Sequence, residues 1–512
     1  MSVRGFYRRP QLQDYAGRTR RRSRTHLLPV LAAVFAVAVA VRLGPVLVHG
    51  SLRGLLEYDD GVYLAAADRL VAGAMPYRDF VFVQPPGVVV ALAPLALLAH
   101  VVGDSNALVI ARLLFIAIGA ANAVLVARLA AIYGTTAAAA SGLVYAGWGA
   151  TAWAERTVLL EPVLNLGLLV AVTLLLRSPL TRRRALGAGL AIGVAALFKL
   201  WAAPVGLCIA VWLLHISPRR RQLKWYLAGC VAPWAIGALP FFAAAPGQMW
   251  REVVVDQLGR PRVDTVAHRF GLFAGVGTLP KLLPSAAVCL LAAAVLIVVV
   301  VLAWGAPGGR LWSAIAGAQI AVLVFAPAFF YHYTDFAGAS LAMLIGLAFS
   351  RAVRSTRGGV RALLVVGASS VWLGLAVVAM QRAVLPSVDN SSLRHFASAH
   401  RCVWTASASL AILADAETRA INHGCGYQVD LYGVLLDSAG RRRSGEPLAQ
   451  RPEIEQWQRV VQSELRRSDG AILDGPVTGQ GWSRQTREVF FHRFRRVGNV
   501  GGIRLWTLAR LS

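Results

Sequence analysis

The feature that most constrains this chain is a succession of apolar runs, many about one bilayer long, separated by short basic clusters. The runs lie at about 27–48, 86–103, 107–131, 135–153, 158–176, 186–216, 225–245, 277–303, 312–330, 335–350 and 362–380. Roughly 20 apolar residues cross a hydrocarbon core as a helix. Inside lipid every backbone polar group needs a partner within the structure, which selects helices over open sheets. Of the 512 residues 57% are hydrophobic and 15% charged, against about 45–50% and about 25% in soluble domains. This excludes a single soluble domain, a disordered chain and a disulfide-dense secreted module. The 48 Gly and 23 Pro follow no fixed period, which excludes a fibrous repeat. An α-helical polytopic membrane protein remains.

The net charge is +27, from 52 Lys+Arg against 25 Asp+Glu. A nucleic-acid partner is rejected, because the basic residues sit between apolar runs as the positive-inside rule places them. Residues 1–26 carry eight Arg and one Asp and are expected to form a basic cytoplasmic arm. The clusters Arg182-Arg183-Arg184, Arg219-Arg220-Arg221 with Lys224, and Arg351 to Arg361 belong on the same side. The first loop (49–85), the 246–276 loop, the Tyr331–Asp335 link and the tail from 381 are then outside. Consistent bookkeeping needs about eleven full crossings and one partial, assigned to the small-residue-rich 135–153 run. It also requires the 186–216 run to cross twice, turning at Lys199-Leu200-Trp201. The expected location is the plasma membrane, with 27–380 embedded.

Residues 381–512 are mixed polar and apolar and read as a small extracytoplasmic α/β domain. Gly470–Leu473 and Ile503–Trp506 have strand character, and Ile454–Arg466 is amphipathic with helical period. Cys402 and Cys425 lie in this tail and pair as a disulfide if it faces an oxidising compartment. Cys208, Cys230 and Cys289 lie in apolar runs and read as small core residues.

The first loop carries the densest chemistry: Glu57-Tyr58-Asp59-Asp60-Gly61-Val62-Tyr63, then Tyr77-Arg78-Asp79-Phe80 and Gln84-Pro85-Pro86-Gly87. Adjacent carboxylates ahead of a helix-like stretch serve as a general base, as ligands of a divalent metal, or as a helix N-cap. Glu161 is an ionisable group in an apolar stretch, a functional-site signal by default; the alternative is pairing with Arg156. Lys199, deep in an apolar run, either binds a phosphate or snorkels to headgroups. Arg260, Arg262 and His268 place positive charge in the 246–276 loop, where they grip an anion or remain solvated. His332 sits between Tyr331 and Tyr333 in a short link that also fits an interfacial aromatic belt. There is no Walker A, His-Glu-x-x-His, Cys-x-x-Cys or Gly-x-Ser-x-Gly motif.

The Asp-acidic-x-x-Tyr pattern at Asp59–Tyr63, followed by Pro85-Pro86-Gly87 at the next apolar run, resembles the GT-C membrane glycosyltransferases. It is similar in particular to the family 39-type protein mannosyltransferases and lipid A aminoarabinose transferases. The resemblance extends to the layout: an acidic first loop, many crossings and a C-terminal outer domain. It implies transfer of a sugar from a polyprenyl-phosphate donor to a glycan, lipid or protein acceptor, among membrane lipids. It implies Asp59 as catalytic base or metal-associated acid, with Asp60 where relatives commonly have Glu, and a second acid near Glu161. A shared divalent cation (Mg or Mn) on Asp59 and Glu161 is one expectation. Lys199, His332, Tyr63, Arg260, Arg262 and His268 are the expected substrate contacts. Gln84 stands where several relatives carry Lys or His. The rival classes are a transporter or flippase of lipid-linked sugar, and a non-catalytic assembly partner.

Overall fold

The computed structural model describes residues 24–215, 220–262, 264–273, 284–306, 308–356, 388–439 and 450–509, with scattered positions between 359 and 374. Most of the 1–26 arm and of the 362–380 run lie outside the described residues.

Helix α1 (Arg24–Val48) leads into the first loop, where α2 (Tyr58–Val71) lies. Then come α3 (Gly87–Val102), α4 (Asp104–Ala130), α5 (Thr135–Gly147), α6 (Gly149–Ala154) and α7 (Glu161–Leu175). Next are α8 (Arg182–Phe198), α9 (Ala202–His215) and α10 (Leu223–Gly237). Short helical turns occupy 239–258, including a π-helical turn at Arg251–Val255, ahead of α11 (Val266–Phe273). Helices α12 (Ser285–Trp304) and α13 (Gly309–Phe325) precede a 3₁₀ turn (Tyr331–Ala337) that runs into α14 (Gly338–Ser355).

This is a multi-pass membrane protein. Leu27–Val48, Asp104–Tyr133, Ser285–Trp304 and Tyr331–Ser355 are each long and apolar enough to cross a bilayer. Gly87–Val102, Glu161–Leu175, Ala202–His215 and Gly309–Phe325 are shorter apolar helices. The 186–216 run is two helices, α8 and α9, separated at Lys199–Trp201, where Lys199 takes an extended conformation (φ −155°, ψ 130°). The 135–153 run breaks at Trp148 between α5 and α6. Helices α8 and α10 approach backbone to backbone: a Cβ on Gly189 would lie 2.0 Å from the Tyr226 carbonyl oxygen. Without aqueous hydrophobic drive, small residues at such contacts allow the packing that holds membrane helices together.

The C-terminal region contains α15 (Asn390–Ser398), β1 (Val403–Thr405), α16 (Ala408–Leu413), α17 (Glu417–Asn422) and α18 (Leu431–Ser438). It continues with α19 (Glu455–Arg467), β2 (Gly470–Leu473), α20 (Arg484–Arg493), β3 (Phe494–Val500) and β4 (Ile503–Leu508). The sheet order is β1-β2-β4-β3, with β1 and β2 parallel and the other pairs antiparallel. Trp404, Trp457, Trp482, Phe490 and Trp506 belong to one buried cluster under this sheet. Cys402 and Cys425 are joined by a disulfide, tying the start of β1 to the segment after α17.

The C-terminal region grips α2 at both ends. At its start, a Cβ on Gly61 would lie 2.2 Å from the Ser409 backbone nitrogen, so only glycine fits. At its far end, Arg69 donates to Glu417 at 2.8 Å. Nearby, Thr418 donates through its backbone N–H (3.0 Å) and its hydroxyl (2.5 Å) to Asp104.

Candidate active site

The N-cap of α2 is Glu57, so Asp59 and Asp60 both lie in the first helical turn rather than capping it. Carboxylates there are favoured by the positive end of the helix dipole. One helical step separates two very different environments. Asp60 is fully buried (0% exposed) and paired with Arg112 of α4. It also accepts from the Thr157 hydroxyl (2.5 Å) and the Ser409 hydroxyl (3.0 Å). Asp60, expected beside Asp59 as an acid of the site, thus lies in a closed set of contacts with no solvent access.

Asp59 is partly exposed and takes a hydrogen bond of 3.2 Å from the Tyr63 hydroxyl. Burial raises its carboxyl above the ordinary aspartate value, and the neighbouring Asp430 and Glu57 add to this; His332 and Arg260 act against them. Glu57 accepts from the Trp153 indole N–H at 2.5 Å and lies 3.7 Å from His332 Nδ1. Burial pushes Glu57 up, but the His332 contact and the Trp153 bond outweigh it, and the net shift is downward.

The 3₁₀ turn that carries His332 is fixed from below. Asn165 of α7 donates to the Asp335 carbonyl (2.8 Å) and carboxylate (3.0 Å), and Gln319 of α13 donates to the Phe336 carbonyl (2.6 Å). His332 stacks on Phe330, with centroids 5.9 Å apart.

Glu161, at the first turn of α7, pairs with Lys199 at the α8–α9 break, Nζ to Oε1 2.6 Å. Glu161 is therefore not the partner of Arg156, which donates to the Val41 carbonyl. The Lys199 ammonium lies 3.8 Å from the ring centroids of both Trp201 and Tyr333. Its charge is answered by a carboxylate and two π faces. Commitment of Glu161 to Lys199 also removes it as a ready metal ligand. Among the described residues no group of three or more His, Cys, Asp or Glu side chains is placed to hold a metal ion. The residues present do not fit the divalent cation expected on Asp59 and Glu161.

Of the three basic residues nominated in the 246–276 loop, the structure brings Arg260 to the site. It is 7% exposed, donates to the Tyr333 hydroxyl at 3.3 Å and lies over the Tyr432 ring at 5.7 Å. Its Nε has no hydrogen-bond partner, and among the described residues no carboxylate lies within ion-pair distance of it. A buried guanidinium with a donor unspent can take a hydrogen bond to an anion. Arg262 is exposed, and His268 pairs with Asp264 at 2.7 Å, so neither gathers around Asp59.

Sequence reasoning missed the contribution of the C-terminal region. Asp430, the N-cap of α18, accepts from Gly433 N–H at 2.8 Å and from the Tyr58 hydroxyl at 3.0 Å. Burial raises its carboxyl, against those hydrogen bonds. Nothing in the local sequence distinguishes Asp430 from an ordinary helix cap. Glu57 did carry a signal, as a third acid directly ahead of Asp59.

The chain shares its overall fold with two membrane enzymes of known structure. It is similar to ArnT from Cupriavidus metallidurans bound to undecaprenyl phosphate, with TM-score 0.57, 13% identity, and 95% of this chain and 98% of that one covered. It is also similar to the Archaeoglobus fulgidus oligosaccharyltransferase in complex with Zn and sulfate, with TM-score 0.52, 13% identity, and 92% and 72% covered. No protein-family model and no curated protein sequence matches the chain.

Proposed function

We propose that this protein is a lipid-linked glycosyltransferase. It moves a sugar from a polyprenyl-phosphate donor to a cell-envelope acceptor at the outer face of the plasma membrane, with its N-terminus cytoplasmic and its C-terminal region outside. The observation that carries the reading is the opposition of Asp59 and Arg260. A partly exposed carboxylate with a raised proton affinity feels the charge of a buried guanidinium with an unspent donor. The reading is supported by the fold shared with ArnT, which was solved with undecaprenyl phosphate bound.

Arg260 takes the donor phosphate and offsets the charge that grows on it as the glycosidic bond breaks. Asp59 removes the proton from the acceptor hydroxyl as that oxygen attacks the anomeric carbon. Direct displacement inverts the configuration there. Glu57 and His332 flank the base, and Tyr63 orients its carboxylate. The Lys199–Glu161 pair, braced by Trp201 and Tyr333, fixes the floor of the site. No step runs through a metal: Glu161 is paired with Lys199, and Asp59 serves here as the base.

The test is incubation of the purified protein with labelled undecaprenyl-phosphate sugars and envelope acceptors. Asp59→Asn is expected to lower transfer by about 10²–10⁴-fold, the usual worth of a general base. Full activity in that variant removes Asp59 from the mechanism. Passage of intact donor across vesicles without cleavage overturns the transferase in favour of a flippase.

A further inference from the structure

The reaction proposed above changes the charge of its lipid. The bond between the anomeric carbon and a donor phosphate oxygen breaks, and its electron pair stays on that oxygen. The acceptor oxygen bonds to the carbon, and its proton passes to Asp59. A phosphodiester with one negative charge thereby becomes a phosphomonoester carrying about −1.5 to −2 at neutral pH. The site therefore holds the donor tightly and must let go of a more highly charged product.

The charges around this point are unevenly matched. Glu57 and Asp59 come from the start of α2, and Asp430 from α18. Against them stand Arg260 from the loop before α11 and His332 from the 3₁₀ turn, while Lys199 and Glu161 cancel one another. His332 already faces Glu57 at 3.7 Å. Arg260 thus meets the first negative charge on a phosphate, and among the described groups named here no unpaired cation is left for a second.

Asp430 is the carboxylate with no role yet in the chemistry. It is 5% exposed; burial raises its carboxyl, and its Gly433 and Tyr58 hydrogen bonds act against that by favouring the ionised form. Among the described residues no basic side chain lies within ion-pair distance of it. Its contacts lead directly to the anion receptor: Tyr58 accepts from the backbone N–H of Tyr432 at 3.3 Å, and the Tyr432 ring lies under the Arg260 guanidinium.

We propose that Asp430, lent to the site by the C-terminal region, is a specificity-determining residue whose fixed negative charge beside Arg260 admits a singly charged lipid phosphodiester and expels the doubly charged phosphomonoester. The inference rests on the transferase reading for the identity of the lipid. It gives the C-terminal region a direct part in turnover, namely release of the spent carrier.

The test measures binding of two probes to the full-length protein in detergent: undecaprenyl phosphate, and its methyl ester as a singly charged phosphodiester. Asp430→Asn removes the charge while keeping both the N-cap and an acceptor for Tyr58, since Asn caps as well as Asp. Asp430→Ser is a second neutral cap, used if the first variant unfolds early. At pH 8 the neutral variants are expected to bind undecaprenyl phosphate about tenfold more tightly than the unaltered protein, the scale of one added charge inside a protein. Affinity for the methyl ester should change by less than about threefold. At pH 5.5, where the monoester approaches a single charge, the difference between the probes should close. An unchanged monoester-to-diester ratio in the neutral variants overturns the role of Asp430, while binding that Arg260→Gln abolishes keeps the transferase reading in place. Failure of the unaltered protein to bind either lipid overturns the lipid-phosphate reading, and this proposal with it.

Discussion

Replacing Asp60 separates the two adjacent acids by their physics. Asp60 neutralises Arg112 in a spot with no solvent access, and Arg112 also donates to the Leu52 (2.7 Å) and Gly54 (2.9 Å) carbonyls. Asp60→Asn keeps the shape but leaves the guanidinium charge uncompensated. Breaking one partner of a buried pair costs about 3–5 kcal/mol. That is a large share of a typical total stability of about 5–15 kcal/mol, and about two to three and a half decades in the folding equilibrium. The assay is thermal unfolding of the purified protein in detergent, beside a transfer measurement at a temperature where the variant is folded. Asp60→Asn should lower the midpoint strongly and keep measurable transfer. Asp60→Leu combined with Arg112→Leu should recover much of the loss, because apolar replacement of a whole buried pair is often neutral. What it does not recover is the two carbonyl hydrogen bonds, about 1 kcal/mol each. An Asp60→Asn protein with an unaltered midpoint and no transfer would refute this reasoning and return Asp60 to the chemistry.

Gly61→Ala should unfold early or lose transfer, since its methyl meets the Ser409 backbone at 2.2 Å and overpacking of this kind costs about 1–3 kcal/mol or more; unfolding midpoint and transfer measure it together. Replacing both Cys402 and Cys425 by Ser, which opens a link across 23 residues, should destabilise the C-terminal region by about 2–4 kcal/mol, read by limited proteolysis of 388–509. Burial raises Glu464 to about 7, against hydrogen bonds from Gln428 N–H and the Trp404 indole. Its neutral form is therefore the one the fold prefers, so its contribution is complete below pH 4.5 and is lost as pH rises to about 7. The loss is roughly 3 kcal/mol at about 1.4 kcal/mol per unit, and Glu464→Gln should flatten that part of the stability–pH curve.

How much of this was legible in the sequence follows from the range of the forces involved. Hydropathy is local, so the apolar runs, the break at Lys199–Trp201 and the strand character of 470–473 and 503–506 could be read from neighbours in the chain. The acids of the first loop were legible for the same reason, because a carboxylate beside a membrane helix stands out by rarity. What separated Asp59 from Asp60 is not local at all. It depends on Arg112, Thr157 and Ser409, which are 52, 97 and 349 residues away. Lys199 and Glu161 show the same limit, since each looked like a free charge seeking a ligand until the fold set them 2.6 Å apart. Asp430 lies further still from recognition, as a cap residue in a polar tail, 372 positions from the Tyr58 hydroxyl it accepts from. Sequence thus located the charges that a membrane tolerates only for a reason. Which of them cancel, and which stay available to a substrate, is decided by long-range pairing that a one-dimensional pattern does not encode. In this protein that pairing leaves Asp59, Arg260 and Asp430 without an ion-pair partner among the described residues, which is why the proposed chemistry is assigned to them.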